Sequence, residues 1–280
     1  MENIIAERVK TATLTKSQQK IAEFFIRNIG RVGSLSSLDA AREIGVSDAS
    51  VIRFSRAIGF EGYADLKDNV YQMLAENAQG GLSLTERLTK NAERFGGAGD
   101  PAAFLALMES NIESAFRDND PACFERIAEA LVSAENRYIV GLRGCRGAAI
   151  QTARLLHYML PRVHTVLDGN SETLHDFRDL TEKDAVLMLV FSRFYKIDLS
   201  FARLARERGA RLFILTDTVA GPLTAYSEET VRIASDNMSF FHSTIGMDLA
   251  AEYILKLISD RVDCHERIRQ IDAITEPDRL

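Results

Sequence analysis

A glycine-rich loop with two arginines holds the side chains of this sequence that are best suited to binding a ligand. Its candidate residues are Gly141, Arg143, Gly144, Cys145 and Arg146. Glycines let the backbone come close to a ligand, and the N-terminus of a following helix attracts an anion. Guanidinium groups add hydrogen bonds that suit a phosphate or a carboxylate. We therefore expect an anionic small molecule here, with a purely structural turn as the alternative.

A second basic loop follows a long apolar run that ends at Phe191. It offers hydroxyl groups and cations to an acidic ligand through Ser192, Arg193, Tyr195 and Lys196. The alternative interpretation is a charged loop that only caps the next helix. The two loops support each other, because we expect both at the same edge of a sheet.

His242 is a third candidate for this pocket, or for that of a neighbouring subunit, because it lies at the start of a long apolar helix. A partly buried histidine at a helix start is the simpler interpretation. The remaining histidines and the three cysteines lack metal-binding spacing. Glu172 and Asp176 share a helical face, which fits a solvated surface better than an acid/base pair. We predict no catalytic residue and no metal site.

The glycine spacing argues against a nicotinamide cofactor. Dinucleotide loops have GxGxxG spacing and an acidic residue further on that binds the ribose. Asp168 is suitably placed for that acid, but the glycines here follow GxxGxxG and two arginines crowd the loop. No cofactor is therefore predicted.

The elements that must position these loops form a predicted α/β domain. The expected strands and the long final helix are 137–140, 163–167, 185–191, 211–216, 230–233 and 240–262. Alternation of strands with helices predicts a parallel sheet with helices on both faces. Such sheets bind ligands beyond the carboxyl ends of their strands, where both basic loops should lie.

A separate stretch, Leu38–Gly59, predicts two short helices joined by a tight turn. Gly45 ends the first helix and Ser47 caps the second. The apolar residues that recur at helical spacing are Ala40, Ala41, Ile44, Val51, Phe54, Ala57 and Ile58. Helices in this register form a helix-turn-helix, whose second helix enters the DNA major groove. The alternative is an ordinary helical hairpin with a solvated polar face.

The predicted DNA contacts lie on the outward face of this motif and at a preceding helix start. They are Lys16, Ser17, Gln18, Ser47, Ser50, Arg53 and Arg56. The chain has a net charge of −6, but residues 14–60 carry seven Lys/Arg against four Asp/Glu, a balance of +3. A local charge this low implies modest nonspecific affinity and several DNA-binding units per assembly.

The length of 280 residues is sufficient for two domains. We expect an all-α helix-turn-helix domain at 1–77, a helical linker at 78–119 and an α/β domain at 120–280. The longest apolar run, Ala185–Phe191, is too short to span a bilayer. Because the N-terminus lacks an apolar signal core and the cysteines fit a reducing compartment, we expect a cytoplasmic protein without a membrane segment.

Both halves of the sequence resemble known domains. Residues 14–25 and 46–67 are similar to the helix-turn-helix of the RpiR family of bacterial transcriptional regulators. Residues 139–144, residues 205–217 and the helix start at Ser239 resemble the sugar isomerase (SIS) domain that these regulators carry. The resemblance implies a regulator that binds double-stranded DNA, senses a sugar phosphate or related metabolite, and works as a homodimer or homotetramer.

The effector loops depart from the family pattern in three places. SIS domains commonly have a serine where this chain has Cys145, and hydroxyl residues where it has Phe191 and Lys196. Arginine and lysine can still bind a phosphate, and a carboxylated sugar or other organic acid suits them equally. The alternative function is an aldose–ketose isomerase acting on a phosphosugar, which needs an acid/base residue and an intact phosphate loop.

Overall fold

The computed structural model describes residues 4–32, 35–77, 82–96, 99–218 and 221–276. The chain divides into two compact units, the first of which comprises residues 1–82, 192–194 and 219–225. The second unit comprises all the others. The expected start of the linker, at residue 78, lies outside the described residues. None of the helices in the described ranges is long and apolar enough to cross a membrane.

The first unit is helical throughout its described elements. Its helices are α1 (Ile4–Thr11), α2 (Lys16–Arg27), α3 (Ile29–Val32), α4 (Ser37–Ile44), α5 (Asp48–Ala57) and α6 (Tyr63–Asn77). Each of them contributes at least one fully buried apolar side chain to a common core. At its centre, the ring of Phe25 lies 5.7 Å from that of Phe54 and 6.0 Å from that of Tyr63.

The second unit contains a parallel sheet, as the sequence predicts. Its elements are α7 (Leu84–Phe95), α8 (Pro101–Arg117), α9 (Pro121–Ser133), β1 (Arg137–Gly141), α10 (Arg146–Met159), β2 (Val163–Val166), α11 (Ser171–Asp176), β3 (Ala185–Leu189), α12 (Lys196–Glu207), β4 (Arg211–Thr216), β5 (Glu229–Arg232), α13 (Ile245–Ser259) and α14 (His265–Thr275). The strand order is β2-β1-β3-β4-β5, and every neighbouring pair is parallel. The predicted fold class is therefore confirmed.

Helical segments cover both faces of the sheet. Leu187 and Leu189 of β3 belong to the core that includes buried residues of α9, α10 and α13. On the opposite face, the ring of Phe177 lies 5.5 Å from that of Tyr138 in β1 and 4.8 Å from that of Phe201 in α12. A strand buried on both sides has a continuous apolar sequence, which explains the run in β3.

The last long helix begins later than the sequence pattern predicts. The prediction placed its start at residue 240, whereas α13 begins at Ile245. The reason is a backbone hydrogen bond in which the N–H of Ser243 donates to the carbonyl oxygen of Ser235 at 3.0 Å. This bond connects the residues just before α13 to the segment that follows β5. His242 therefore lies in a loop and not on the helix.

A buried arginine joins α9 to the sheet. Arg137, which begins β1, is only 4% exposed. Its guanidinium donates to the carbonyl oxygens of Leu131 at 2.6 Å, Val132 at 2.9 Å, Ala134 at 2.5 Å and Pro161 at 3.0 Å. The last carbonyls of a helix have no partner within the helix. Arg137 supplies hydrogen-bond donors to these carbonyl groups, and it thereby fixes the end of α9 against the start of β1.

Replacing Arg137 by methionine should therefore destabilise the protein, because these four carbonyl groups and that of Glu135, which accepts at 3.4 Å, lose a charged donor. We expect the free energy of unfolding of the full chain to fall by about 2–4 kcal/mol, as measured by denaturant titration. Arg154→Met, which changes an exposed arginine of α10, is the control and should alter that free energy by less than ~0.5 kcal/mol. Equal effects of the two substitutions would refute this role.

Candidate DNA interface and anion site

Local capping fixes the turn between α4 and α5. Gly45 has a left-handed backbone conformation, with φ of +73°, and its N–H donates to the carbonyl oxygen of Ala41 at 2.9 Å. Oγ of Ser47 accepts a hydrogen bond from the N–H of Ser50 at 3.2 Å. Glycine tolerates the first conformation and serine favours the second role. The predicted stop and start of the two helices are thus confirmed.

Helix α5 has one buried and one exposed side. Val51 and Phe54 are fully buried, whereas Arg53 and Arg56 are exposed. Ala57 differs from the sequence prediction, because it is exposed although it was expected on the apolar side. It is the last residue of α5, where the helix ends and the chain turns away.

The exposed side of α5 carries a line of hydrogen-bonded polar groups. The Oγ atoms of Ser47 and Ser50 are 2.8 Å apart, and Nη2 of Arg53 donates to Oγ of Ser50 at 3.1 Å. Nε of Arg56 donates to the carbonyl oxygen of Glu61 at 3.1 Å. Ser47, Ser50 and Arg53 thus form one polar surface, while Arg56 is also bonded to the turn that follows the helix.

Three further predicted DNA contacts lie in the first turn of α2. Lys16 and Ser17 are exposed. Oε1 of Gln18 accepts hydrogen bonds from the backbone N–H of Thr15 at 2.9 Å and from its Oγ1 at 3.1 Å. This reciprocal capping arrangement gives Gln18 a structural role that the sequence analysis did not assign.

The glycine-rich loop after β1 approaches α10 very closely. A Cβ atom on Gly141 would lie 2.4 Å from the Cβ of Ala149 and 2.7 Å from the carbonyl oxygen of Cys145. A Cβ atom on Gly144 would meet nothing within 4 Å. Cys145 is 3% exposed, and burial raises the pKa of its thiol to about 12. The thiol is therefore neutral and does not replace the charge or the hydroxyl of an anion-binding group.

Arg143 connects this loop to the start of α12. Its Nη2 donates to Oδ2 of Asp198 at 2.6 Å, and its guanidinium carbon lies 4.2 Å from the centre of the Tyr195 ring. The same Oδ2 accepts the backbone N–H of Tyr195 at 2.8 Å. The side chain of Asp198 is 0% exposed, whereas that of Arg143 is 40% exposed. A buried carboxylate thus holds a guanidinium that still reaches solvent.

Each basic loop contains an arginine with a left-handed backbone. The φ angles are +53° at Arg143 and +80° at Arg193. Such conformations are uncommon for residues other than glycine, and they are found most often at ligand sites and switch regions. Arg193 is exposed and Ser192 is buried, and both belong to the first unit. Lys196 is exposed at the first residue of α12.

Arg146 is bonded to the segment that follows β2. Its guanidinium forms an ion pair with Asp168, and its Nη2 donates to the carbonyl oxygen of Leu167 at 3.0 Å. Asp168 is the residue that a dinucleotide site would use for the ribose. Here its carboxylate neutralises an arginine of the glycine-rich loop.

His242 lies among polar groups near the carboxyl ends of β4 and β5. Its Nδ1 is 2.8 Å from Oγ of Ser235 and 3.5 Å from Oδ2 of Asp217. Its ring stacks on that of Phe191, with centroids 4.8 Å apart. Burial lowers the pKa of His242 to about 4, although the charge of Asp217 raises it. Because this pKa is far below 7, the ring is neutral at neutral pH.

Sequence reasoning missed Asp198, Asp217 and Ser235 as site residues. Asp217 directly follows β4, and Asp198 is the third residue of α12. An acidic residue near a helix start and one at a strand end are signals that the sequence did offer. Ser235 carries no such local signal, because only the loop before α13 brings it to His242. In the ranges that the structure covers, no cluster of three His, Cys, Asp or Glu residues could hold a metal ion.

Two domain families match the sequence. The model of the rpiR-family helix-turn-helix domain matches residues 1–77, and that of the SIS domain matches residues 130–253. An HTH-type transcriptional regulator of Haemophilus influenzae is 25% identical over 251 residues, which are 88% of this chain and 84% of that protein.

Two solved structures share the fold. The sugar isomerase domain of an RpiR transcription factor from Sphaerobacter thermophilus has a TM-score of 0.58 and 20% identity, over 64% of this chain and 98% of that chain. The Vibrio vulnificus NanR protein complexed with ManNAc-6P has a TM-score of 0.57 and 16% identity, over 99% of this chain and 100% of that chain. At these identities the likeness shows the fold.

The close approach of the glycine-rich loop to α10 predicts that substitution of one glycine destabilises the protein and substitution of another does not. Gly141→Ala should lower the free energy of unfolding by about 1–3 kcal/mol, because the added methyl group overlaps atoms of Ala149 and Cys145. Gly144→Ala should leave it within ~0.5 kcal/mol of the wild-type value. Thermal or denaturant unfolding of both variants checks this. A Gly141→Ala protein as stable as the Gly144→Ala protein would show that the loop does not need glycine there.

Proposed function

Because the chain belongs to the RpiR family of helix-turn-helix transcriptional regulators and carries a SIS domain, we propose that it reads DNA through α5 and senses an anionic sugar derivative in its second unit. The observation that carries this proposal is the exposed polar surface of Ser47, Ser50 and Arg53 on the second helix of the motif. An ordinary helical hairpin has no need of an exposed arginine held by Ser50, which is itself hydrogen-bonded to Ser47.

Individual roles follow from the positions of these side chains. Arg53 is the residue for a guanine edge or a phosphate, since it projects from the exposed side of α5. Ser47 and Ser50 lie in its N-terminal part, which faces the bases in such motifs. Arg56 and the α2 residues Lys16, Ser17 and Gln18 are proposed phosphate contacts. With a local balance of only +3, one copy binds weakly, so we propose a homodimer or homotetramer.

The proposed effector is an acid that pairs with the Arg143 guanidinium. Asp198 orients this group without enclosing it, so its other N–H donors can serve a phosphate or a carboxylate. Tyr195, Lys196 and His242 belong to the same unit and are the proposed neighbours, with Gly141, Gly144, Cys145 and Arg146 shaping the loop. The roles of Ser192 and Arg193 stay a prediction from the sequence.

A phosphosugar is the preferred class of effector. The related Vibrio vulnificus NanR structure is a complex with ManNAc-6P, and it covers nearly the whole of this chain. In this chain, Phe191 packs against His242, and Cys145 is buried. The phosphate would therefore be held by guanidinium and ammonium groups more than by hydroxyls. A sugar acid satisfies the same donors and is the alternative.

We infer a regulatory role and not a catalytic one, acting in the cytoplasm. The relative from Haemophilus influenzae is named as a transcriptional regulator, and an isomerase has no use for the helix-turn-helix unit. Effector binding would change DNA affinity, and DNA binding would change effector affinity by the same factor. Robust turnover of sugar phosphates by the purified protein would contradict this inference.

Binding of the full chain to its own upstream DNA at fixed salt tests the DNA half. Arg53→Ala should weaken this binding about tenfold or more, the loss expected when an arginine at a base edge is removed. Arg154→Ala removes an exposed arginine from α10 in the second unit and should leave affinity unchanged. The DNA assignment fails if both variants bind as tightly as the wild type.

The same assay, repeated with sugar phosphates and sugar acids, tests the sensing half. At least one of these compounds should change the DNA affinity of the wild-type protein, and Arg143→Met should remove that response. A response that is unaltered in Arg143→Met would place the effector elsewhere.

A further inference from the structure

Helix α7 has a buried polar side, although it is otherwise an exposed helix. Arg87 and Asn91, one helical turn apart, are each 3% exposed. Leu84 and Leu88 of the same helix are 52% and 47% exposed. Arginine and asparagine are ordinarily the exposed residues of a helix and leucine the buried one. The pattern is reversed here, so the polar pair must have specific partners.

Those partners are carbonyl groups of one loop, residues 235–242, which we call the pocket loop. Nδ2 of Asn91 donates to the carbonyl oxygens of Asn237 at 2.9 Å and Ser239 at 2.5 Å. Nη1 of Arg87 donates to the carbonyl oxygen of Phe240 at 3.2 Å. Side chains of α7 thus provide the donors for three successive parts of a loop that has no regular secondary structure of its own.

A charged contact and a second helix complete the support of this loop. Arg94 of α7 forms an ion pair with Asp236 at 3.7 Å. Nδ2 of Asn111 in α8 donates to the carbonyl oxygen of Asp236 at 2.8 Å. The Arg94 pair is partly exposed and contributes little. The buried bonds of Arg87 and Asn91 are therefore the principal connection between α7 and the loop.

The pocket loop ends in the candidate effector site. Ser235 at its start contacts His242 at its end through the 2.8 Å bond to Nδ1. The groups that act on the charge of His242 are Asp217, Asp236 and Arg87. The positive charge of Arg87 is therefore one of the groups that lower the pKa of His242.

We propose that Arg87 and Asn91 are positioning residues that join the pocket loop to α7, so that a change in the loop on effector binding is passed to the segment leading to the helix-turn-helix unit. This inference rests on the proposed function, because it gives the sensing site a physical connection to the DNA-binding half. In the sequence, α7 is the first helix after residue 82, where the main segment of the first unit ends.

Because the pocket loop is hydrogen-bonded to α7, a change in one of these elements affects the other. Buried carbonyl groups that lose their donors carry a desolvation penalty, so the loop cannot leave α7 without exposing them to water or finding other partners. A ligand shifts such an equilibrium only by contacting one arrangement better than the other. Contacts at Ser235 or His242 would therefore change the stability of the α7 contacts as well.

The first test follows the titration of His242 in the full chain by NMR, with His242→Gln used to assign its signal. The wild-type pKa is about 4 because the ring is buried. Asn91→Leu removes both donors without adding charge, so water should enter the loop and the pKa should rise by at least ~1 unit. Thr89→Leu, on the exposed side of α7, is the matched control and should leave the titration unchanged.

The second test measures amide hydrogen exchange in two variants, one altered in α7 and the other in the pocket loop. Asn91→Leu should speed exchange in the pocket loop, and His242→Gln should speed exchange in α7 about tenfold. Exchange in α1–α6 serves as the internal reference. If Asn91→Leu does not fold, His242→Gln alone decides the question.

An unchanged His242 titration in folded Asn91→Leu, or faster exchange confined to the altered element, would overturn the proposal. Neither test requires DNA or an effector. If the protein binds neither DNA nor an effector, the proposed function is refuted, but both tests can still show that the pocket loop and α7 are connected. If the protein responds to an effector and the two tests show no such connection, only this inference is refuted.

Discussion

The buried carboxylate of Asp198 is the constraint on which the proposed anion site depends. A carboxylate that is 0% exposed must be neutralised and hydrogen-bonded. The Arg143 guanidinium and the backbone N–H of Tyr195 both donate to Oδ2, whereas Oδ1 has no hydrogen-bond partner among the described residues. In doing so they join the loop after β1 to the start of α12. Arg143, which forms this ion pair, has a left-handed backbone conformation with φ of +53°.

Other elements of the second unit surround the proposed anion site. The parallel sheet brings the ends of β1, β3 and β4 to one edge, and Gly141 lets α10 approach that edge. At the same edge, the ring of His242, which belongs to the pocket loop, stacks on the ring of Phe191. The bonds from Arg87 and Asn91 then connect the pocket loop to α7. A charged ligand near Arg143 would thus lie beside a loop that is already hydrogen-bonded to α7.

Local signals in the sequence predicted much of this architecture. Gly45 and Ser47 gave the helix-turn-helix boundaries, since capping depends on adjacent residues. The apolar run of β3 predicted a sheet with helices on both faces, because such a run must be covered on both sides. The start of α13 and the roles of Asp198 and Asn91 depend on partners distant in sequence. A single sequence contains no record of such pairs, so these features appeared only in the structure.

The most direct measurement is a double-mutant cycle on Arg143 and Asp198, with Arg143→Met, Asp198→Asn and the combined variant compared by denaturant unfolding of the full chain. If Asp198 holds Arg143 in place, the two substitutions should be strongly non-additive, with a coupling of about 1–3 kcal/mol. Losses that add within ~0.5 kcal/mol would show that the two side chains act independently. Asp198 would then not hold Arg143 for a bound anion.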